Sequence, residues 1–523
     1  MLRSIYLIAQ PPLLEKEGNG PQPESSPLTP RHLDNLIHFK TPVFDNPSIP
    51  IALLKRLAPL KPILHPRNIA CNQLRRGYMT DLLELLHRYN APTPRYTSYP
   101  PAPHWQGAHG GVLTSALRRS TSPLSIYVHI PFCDRLCLYC GCNVVVKKDH
   151  SIAAPYIDHL IAEMELAEVA RGRKATQLHW GGGTPTYLDP HQIRELYNAI
   201  AERFSLDAGG EYSIEIDPRV TSFGHLGTLR ELGFNRLSMG IQDFDWNVQL
   251  TIRRIQPFDR TRELFEQARS LGFESINADL IYGLPRQTRS SFQKTLDLVI
   301  ELNPDRLAVF SYAHVPSLKK QQKSFERFLP AEPEKLQLFM DAIERLTAAE
   351  YEHIGMDHFA RPSDPLVAAR DNGSLHRNFQ GYTTHAETDL IGFGVSAISH
   401  VGHTFTQNHR DLGSWEDDIG AGRVPVFRGY TQTRDDLLRG AVIEECLCSS
   451  RIYKNNIEEK FNIDFDTFFR PEMMRLEELE RDGLIEDRTS RVIRVTPAGR
   501  IFVRAIARAF DAFQGVSVAS KAV

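Results

Sequence analysis

From residue 124 to about 315 the chain alternates short apolar runs of strand length with stretches whose apolar residues recur every three or four positions. The runs fall at 124–130, 176–180, 211–217, 235–241, 275–282 and 306–312, and they predict six strands. Between them Ile157, Leu160, Ile161 and Met164, and later Phe292, Leu296, Val299 and Ile300, mark amphipathic helices. Strand–helix units in series predict an α/β fold, a parallel sheet with right-handed crossovers curled into a partial (β/α)6 barrel. Each strand runs into a segment rich in polar residues, glycine or proline: His129–Cys133, His179–Pro185, Glu215–Arg219, Ser238–Gln242, Asp279–Pro285 and Phe310–His314. Barrel enzymes collect their chemistry at the C-terminal ends of the strands, so these segments are expected to meet at one mouth.

Outside this core the pattern changes. Residues 1–78 hold 12 of the 34 prolines and keep no strand or helix period, which predicts a poorly ordered, dispensable extension without chemistry, Met79 being a sufficient start. In 79–123, Leu82, Leu83, Leu85 and Leu86 fall at helical spacing before the turn-rich Pro92–Pro100. The barrel and its extension are expected over 124–430. A mainly helical domain follows over 431–523; its short strand Val492–Val495 and helix 497–511 predict a winged-helix-like module. Arg500, Arg504 and Arg508 share one face of that helix and read as a solvated face rather than a nucleic-acid surface.

Composition narrows the class. A chain of 523 residues with 41% hydrophobic and 24% charged residues can bury a large core in two or three domains. A net charge of -2 offers no field to recruit nucleic acid or anionic lipid. No apolar run approaches the ~18 residues that span a bilayer, and the cytoplasm is the expected compartment.

Four of the seven cysteines stand within ten residues, as Cys133-x-x-x-Cys137-x-x-Cys140-x-Cys142. One tight cluster in a long chain describes a reducing compartment rather than a disulfide framework. A zinc site usually pairs two close ligands with two more after a gap, and no such partner pair follows. Three thiolates instead suit three corners of a cubane 4Fe-4S cluster, leaving one iron open. Cys446 and Cys448, in an apolar helical stretch, read as core. At the strand ends, Gly181-Gly182-Gly183-Thr184-Pro185 lets backbone approach a ligand. Glu215, Gln242 and Asp279 offer bonds to hydroxyl or amino groups, and Arg254 offers a pair to a carboxylate.

The CxxxCxxC spacing is the signature of radical S-adenosylmethionine (SAM) enzymes, and within them the chain resembles the oxygen-independent coproporphyrinogen III oxidases of haem biosynthesis. The resemblance runs from about Tyr78 to Asp511. It rests on Arg95-Tyr96-Thr97-Ser98-Tyr99-Pro100, Cys140-Gly141-Cys142, Gly355–Pro362 and Leu375–Thr384. It implies that Cys133, Cys137 and Cys140 bind the cluster, with Cys142 a neighbouring non-ligand. It implies one SAM at Tyr127, Gly182, Glu215 and Ile398, and a second at Tyr139, Gly183, Thr184, Gln242, Arg254, Asp279 and Ala313. Where the family usually has Asn-Arg, this chain has Arg253-Arg254, which places the fine geometry of the second site in question.

The chemistry implied is reductive cleavage of SAM to a 5'-deoxyadenosyl radical, which takes a hydrogen from a propionate side chain. Two propionates of coproporphyrinogen III become vinyls, giving protoporphyrinogen IX. The segment 79–123 would lie near the substrate, and Arg95, His358, Arg361, His376 and Arg377 are candidate carboxylate anchors by motif and charge. A donor such as flavodoxin or ferredoxin and a monomeric state go with the resemblance. Two other readings stand beside it, a haem-trafficking radical-SAM paralogue and a nucleic-acid-modifying radical-SAM enzyme.

Overall fold

The computed structural model describes residues 82–513 and Lys521; the extension expected over 1–78 lies outside the described residues. The predicted strands appear as β1 Leu124–Ile130, β2 Lys174–Gly182, β3 Ser205–Ile216, β4 Arg236–Gln242, β5 Ser275–Tyr282 and β6 Arg306–Ser311. They pair in parallel in sequence order. β3 starts six residues earlier than its apolar run, because Ser205 and Leu206 pair with Lys174 and Ala175 although Asp207, Gly209 and Gly210 read as a turn. A further parallel strand, Asp389–Phe393, lies along β1 and escaped the sequence reading. Antiparallel strands extend both edges into a single 13-stranded sheet.

Helices Ala153–Leu166, Pro190–Arg203, Phe223–Glu231, Phe258–Ser270 and Arg289–Leu302 return the chain between strands. Their starts are written locally: Asp189 and Gln192 form a reciprocal capping box, and the Thr288 side chain accepts from the Ser291 amide. The two faces of the sheet differ in polarity. On the helix side lie Leu124, Ile126, Val128, Leu178, Trp180, Ile214, Met239 and Leu280, at most 0% exposed. The alternate residues, among them Gln177, His179, Ser213, Arg236, Asn277 and Arg306, line one cavity. Side chains from β2 to β6 meet around a single space only if the sheet curls, and their polarity makes that space a chamber rather than a packed barrel core.

Over 432–513 the helices Arg434–Ser449, Lys454–Phe461, Arg470–Arg481, Pro497–Ile501 and Val503–Arg508 surround the antiparallel pair Arg451–Tyr453 and Val492–Arg494. The single helix expected at 497–511 breaks at Phe502. The solvated arginine face is corrected with it: Arg504 is 4% exposed and donates to the Thr93 carbonyl at 3.0 Å. That bond ties the C-terminal helices to the segment ahead of the barrel. Cys446 and Cys448 are core, as expected. Among the described residues no helix is long and apolar enough to cross a membrane.

Candidate functional site

The cysteine loop leaves β1 through the two-residue strand Phe132–Cys133 and closes on itself where that strand pairs with Val145–Val146. Its carbonyls are held from outside. Lys319 Nζ donates to Cys142 O at 2.7 Å, Gln321 Nε2 to Cys140 O at 3.1 Å, and Gln322 Nε2 to Tyr139 O at 3.0 Å. One segment after β6 therefore straps the loop across its back.

The sulfurs differ in their surroundings. Cys133 Sγ faces the Thr184 hydroxyl at 3.4 Å, and burial pushes its thiol up to about 12. Cys137 Sγ receives Arg219 Nη2 at 3.3 Å and Arg254 Nη1 at 3.8 Å. The Cys142 side chain, hydrogen-bonded to Cys140, holds the Cys140 thiol down at about 6, while Cys142 itself is pushed well up. The Cys142 thiol thus favours charge on Cys140. Among the described residues no three His, Cys, Asp or Glu side chains are gathered to hold a single ion.

The glycine segment closes over the loop. Gly183 N donates to Ile130 O at 2.8 Å and Thr184 N to Phe132 O at 2.9 Å. A Cβ on Gly183 would lie 2.4 Å from Pro131 O, so only glycine permits this approach. Gly182, at φ +114°, donates to Glu215 Oε2 at 3.2 Å. Tyr127 Oη meets His129 Nδ1 at 3.0 Å, and His129 Nε2 meets Asn143 O at 3.1 Å, which joins β1 to the cysteine loop. Tyr127, Gly182 and Glu215 therefore form one patch. Ile398 lies on the strand Ile398–Val401, which pairs with Asp389–Phe393 beside β1, and its side chain packs in a cluster with Ala102, Trp105 and Phe405.

The second group is marked by polar atoms without partners. Gln242 is 0% exposed, held at φ +71°, and neither its amide oxygen nor its nitrogen has a hydrogen-bond partner. The Tyr139 hydroxyl and Arg254 Nε are likewise buried and unpartnered. Buried polar atoms without partners cost about 1–3 kcal/mol each, so four on three neighbouring residues describe a cradle for a polar ligand. The rest of Arg254 is committed, Nη1 to Asp217 Oδ2 at 2.9 Å and Nη2 to Gly240 O at 2.6 Å. Asp279 accepts from Asn277 Nδ2 at 2.8 Å and Ser238 Oγ at 3.3 Å, and Ala313 O accepts from Gln322. Arg253 is exposed at φ +55°, just past the helix Trp246–Thr251. Asparagine tolerates that left-handed position best after glycine, and the Arg253 charge lies at the surface.

Of the five anchor candidates, three gather. Arg95 pairs with Asp357, His358 Nδ1 lies 2.7 Å from Asp357 Oδ1, and Arg377 Nε donates to Arg95 O at 3.4 Å. Burial would raise the Asp357 carboxyl, but Arg95 and then His358 hold it well below the usual carboxylate range. Arg377 Nη1 is buried without a partner. His358 also lines the chamber, beside Tyr382. The other two lie elsewhere: Arg361 donates to Ala349 O at 2.8 Å and stacks on Tyr351, while His376 Nδ1 pairs with Glu444 at 2.5 Å.

Sequence reasoning quoted Asp217 and Arg219 within a strand-end segment without giving them a role, and passed over Lys319, Gln321 and Gln322. Asp217 is 1% exposed and bridges Arg219 and Arg254. The strap glutamines carry no local signal, because what they bond is main chain about 180 residues away.

The description "Radical SAM superfamily" matches residues 127–299, and "HemN C-terminal domain" matches residues 432–502. The chain is 45% identical over 439 residues to the oxygen-independent coproporphyrinogen III oxidase of Pseudomonas aeruginosa, covering 82% of this chain and 95% of that protein. To the protein of the same name from Escherichia coli it is 45% identical over 435 residues, again covering 82% and 95%. The solved coproporphyrinogen III oxidase (HemN) of Escherichia coli, a radical SAM enzyme, matches with a TM-score of 0.78 at 44% identity, over 80% of this chain and 97% of that one.

Proposed function

Since the chain belongs to the oxygen-independent coproporphyrinogen III oxidases, we propose that it converts two propionates of coproporphyrinogen III to vinyls, giving protoporphyrinogen IX, with this site as its reaction centre. The observation that carries the site is the set of unpartnered buried atoms, Tyr139 Oη, the Gln242 amide and Arg254 Nε, beside the cysteine loop. When bound, the 4Fe-4S cluster and SAM supply an electron and a carbon-centred radical able to take hydrogen from a propionate. The rest falls to the chain. Cys133, Cys137 and Cys140 hold the cluster. Tyr127, Gly182 and Glu215 receive one SAM, with Ile398 as an apolar neighbour; Tyr139, Gly183, Thr184, Gln242, Arg254, Asp279 and Ala313 receive the second.

For each propionate, the β-carbon loses a hydrogen atom, the bond to the carboxylate breaks, carbon dioxide leaves, and one electron passes to an acceptor. Arg95, Arg377 and His358 fit the work of holding carboxylates: His358 lines the chamber, and Arg95 and Arg377 lie beside it around Asp357, Arg95 lining a neighbouring pocket. The chamber excludes bulk water and oxygen from the reacting carbon. The same reading includes a reduced flavodoxin or ferredoxin as donor, a monomeric chain and a cytoplasmic setting. The segment 79–123, whose Arg95 reaches Asp357, would serve the substrate.

An anaerobic assay tests this: reconstituted protein, SAM, a reductant and coproporphyrinogen III, with porphyrinogens read by mass. Sequential loss of two carbon dioxide units is expected. Tight haem binding without decarboxylation would instead favour a trafficking protein.

A further inference from the structure

One of the three ligand sulfurs is treated unlike the others. Cys137 Sγ has two guanidinium nitrogens within reach, Arg219 Nη2 at 3.3 Å and Arg254 Nη1 at 3.8 Å. Cys133 meets a hydroxyl and Cys140 a thiol. Both arginines converge through Asp217. Arg219 donates from Nε to Oδ1 at 3.0 Å and from Nη2 to Oδ2 at 2.6 Å, and its own amide donates to Oδ1 at 3.0 Å. A carboxylate two residues away thus fixes the backbone and the head group of Arg219 together. The local sum is two cations and one anion, leaving a net positive charge against the Cys137 sulfur.

We propose that Arg219 is a positioning residue that raises the reduction potential of a cluster held by Cys133, Cys137 and Cys140. The inference rests on the cluster reading of the site. Reduction adds one negative charge, shared between iron and sulfur, and an N–H donor with a positive charge at a ligand sulfur favours the more negative state. In a buried site that preference is weakly screened. Arg254 acts in the same sense but is 1% exposed, so its removal would disturb the end of β4 at Gly240 and the cradle around it. Arg219 is 20% exposed, and without it Asp217 still has Arg254. Its effect is therefore separable from the fold.

The experiment is a potentiometric titration of the reconstituted protein followed by electron paramagnetic resonance, with iron content and thermal midpoint measured alongside. Arg219→Gln is expected to keep its iron and to lose at least tenfold in the reduction equilibrium, a downward shift of about 59 mV for one electron. Arg219→Lys, which keeps the charge, should recover part of it. An unchanged potential at full iron content in Arg219→Gln overturns the inference. Should that variant fail to hold iron, hyperfine spectroscopy on the unmutated protein with isotope-labelled arginine decides. A nitrogen coupling to the reduced cluster that weakens in Arg219→Lys supports the contact, and no difference between the two overturns it. Absence of any cluster signal in the unmutated protein would instead defeat the reading of the site.

Discussion

Cys140 and Cys142 stand two residues apart in one loop, yet their sulfurs have opposite protonation preferences. Because the Cys142 thiol supports the Cys140 thiolate, Cys142→Ser can keep a hydroxyl donor in its place. Cys133→Ser, Cys137→Ser and Cys140→Ser are expected to abolish the brown iron–sulfur absorption, and Cys142→Ser to retain it; iron and sulfide analysis of the four variants checks this. Loss of iron in Cys142→Ser with retention in Cys140→Ser would reverse the ligand assignment. At Arg253 the issue is backbone rather than charge. A left-handed φ of +55° costs an arginine more than an asparagine, so Arg253→Asn should raise stability by roughly 0.5–1 kcal/mol without altering SAM affinity. Thermal melting beside SAM binding gives the answer.

At the scale of elements, the strap after β6 couples the barrel edge to the cysteine loop. Gln322 is 0% exposed; its amide nitrogen serves Tyr139 O, and its oxygen accepts from Val315 N at 2.7 Å. Gln322→Ala leaves buried main-chain groups without partners at both ends, costing about 2–4 kcal/mol. The expected result is a lower melting temperature and faster loss of iron to a chelator, while Gln321→Ala, at the outer edge of the strap, changes less. Equal behaviour of the two would show that the strap does not hold the loop. The strands show a related division. Their helix-facing residues are uniformly apolar, whereas the chamber side carries Gln177, Ser213, Arg236 and Asn277, which contribute less to stability than to what the space can accept.

Across the whole molecule, stability and site are joined through two buried carboxylates. Asp217 is opposed by burial but held down by Arg254 and Arg219, and Asp357 likewise by Arg95 and His358. Both folded-state values lie below the unfolded one. Their contribution is therefore complete above the ordinary carboxylate value of ~3.9 and is lost as pH falls through that range toward the lower folded values. Melting temperatures should drop steeply on acidification below about pH 4. Asp357→Asn should flatten that acid limb while lowering stability at neutral pH, since it removes the buried carboxylate with which Arg95 pairs. An unchanged acid limb would mean that other carboxylates govern it.

The chain's local pattern determined a good deal. The period of its apolar residues is enough for six parallel strands and their helices, because an amphipathic helix and a buried strand bury their apolar surface by rules that act within one element. The spacing of Cys133, Cys137 and Cys140 is enough to propose a cluster loop, because contiguous chain can wrap such a cluster. Tertiary structure alone decided what depends on pairing across distance. Asp389–Phe393 is a strand because β1 lies beside it, and β3 begins at Ser205 because Lys174 and Ala175, ahead of the apolar run of β2, pair with Ser205 and Leu206. Arg95 joins Asp357 across 262 residues, whereas Arg361 and His376, equal to it as charges in the sequence, find other partners. A side chain's chemistry is written in its type, but its partner is set by which elements the fold brings within bonding distance, and hydrogen bonds and ion pairs carry no period along the chain.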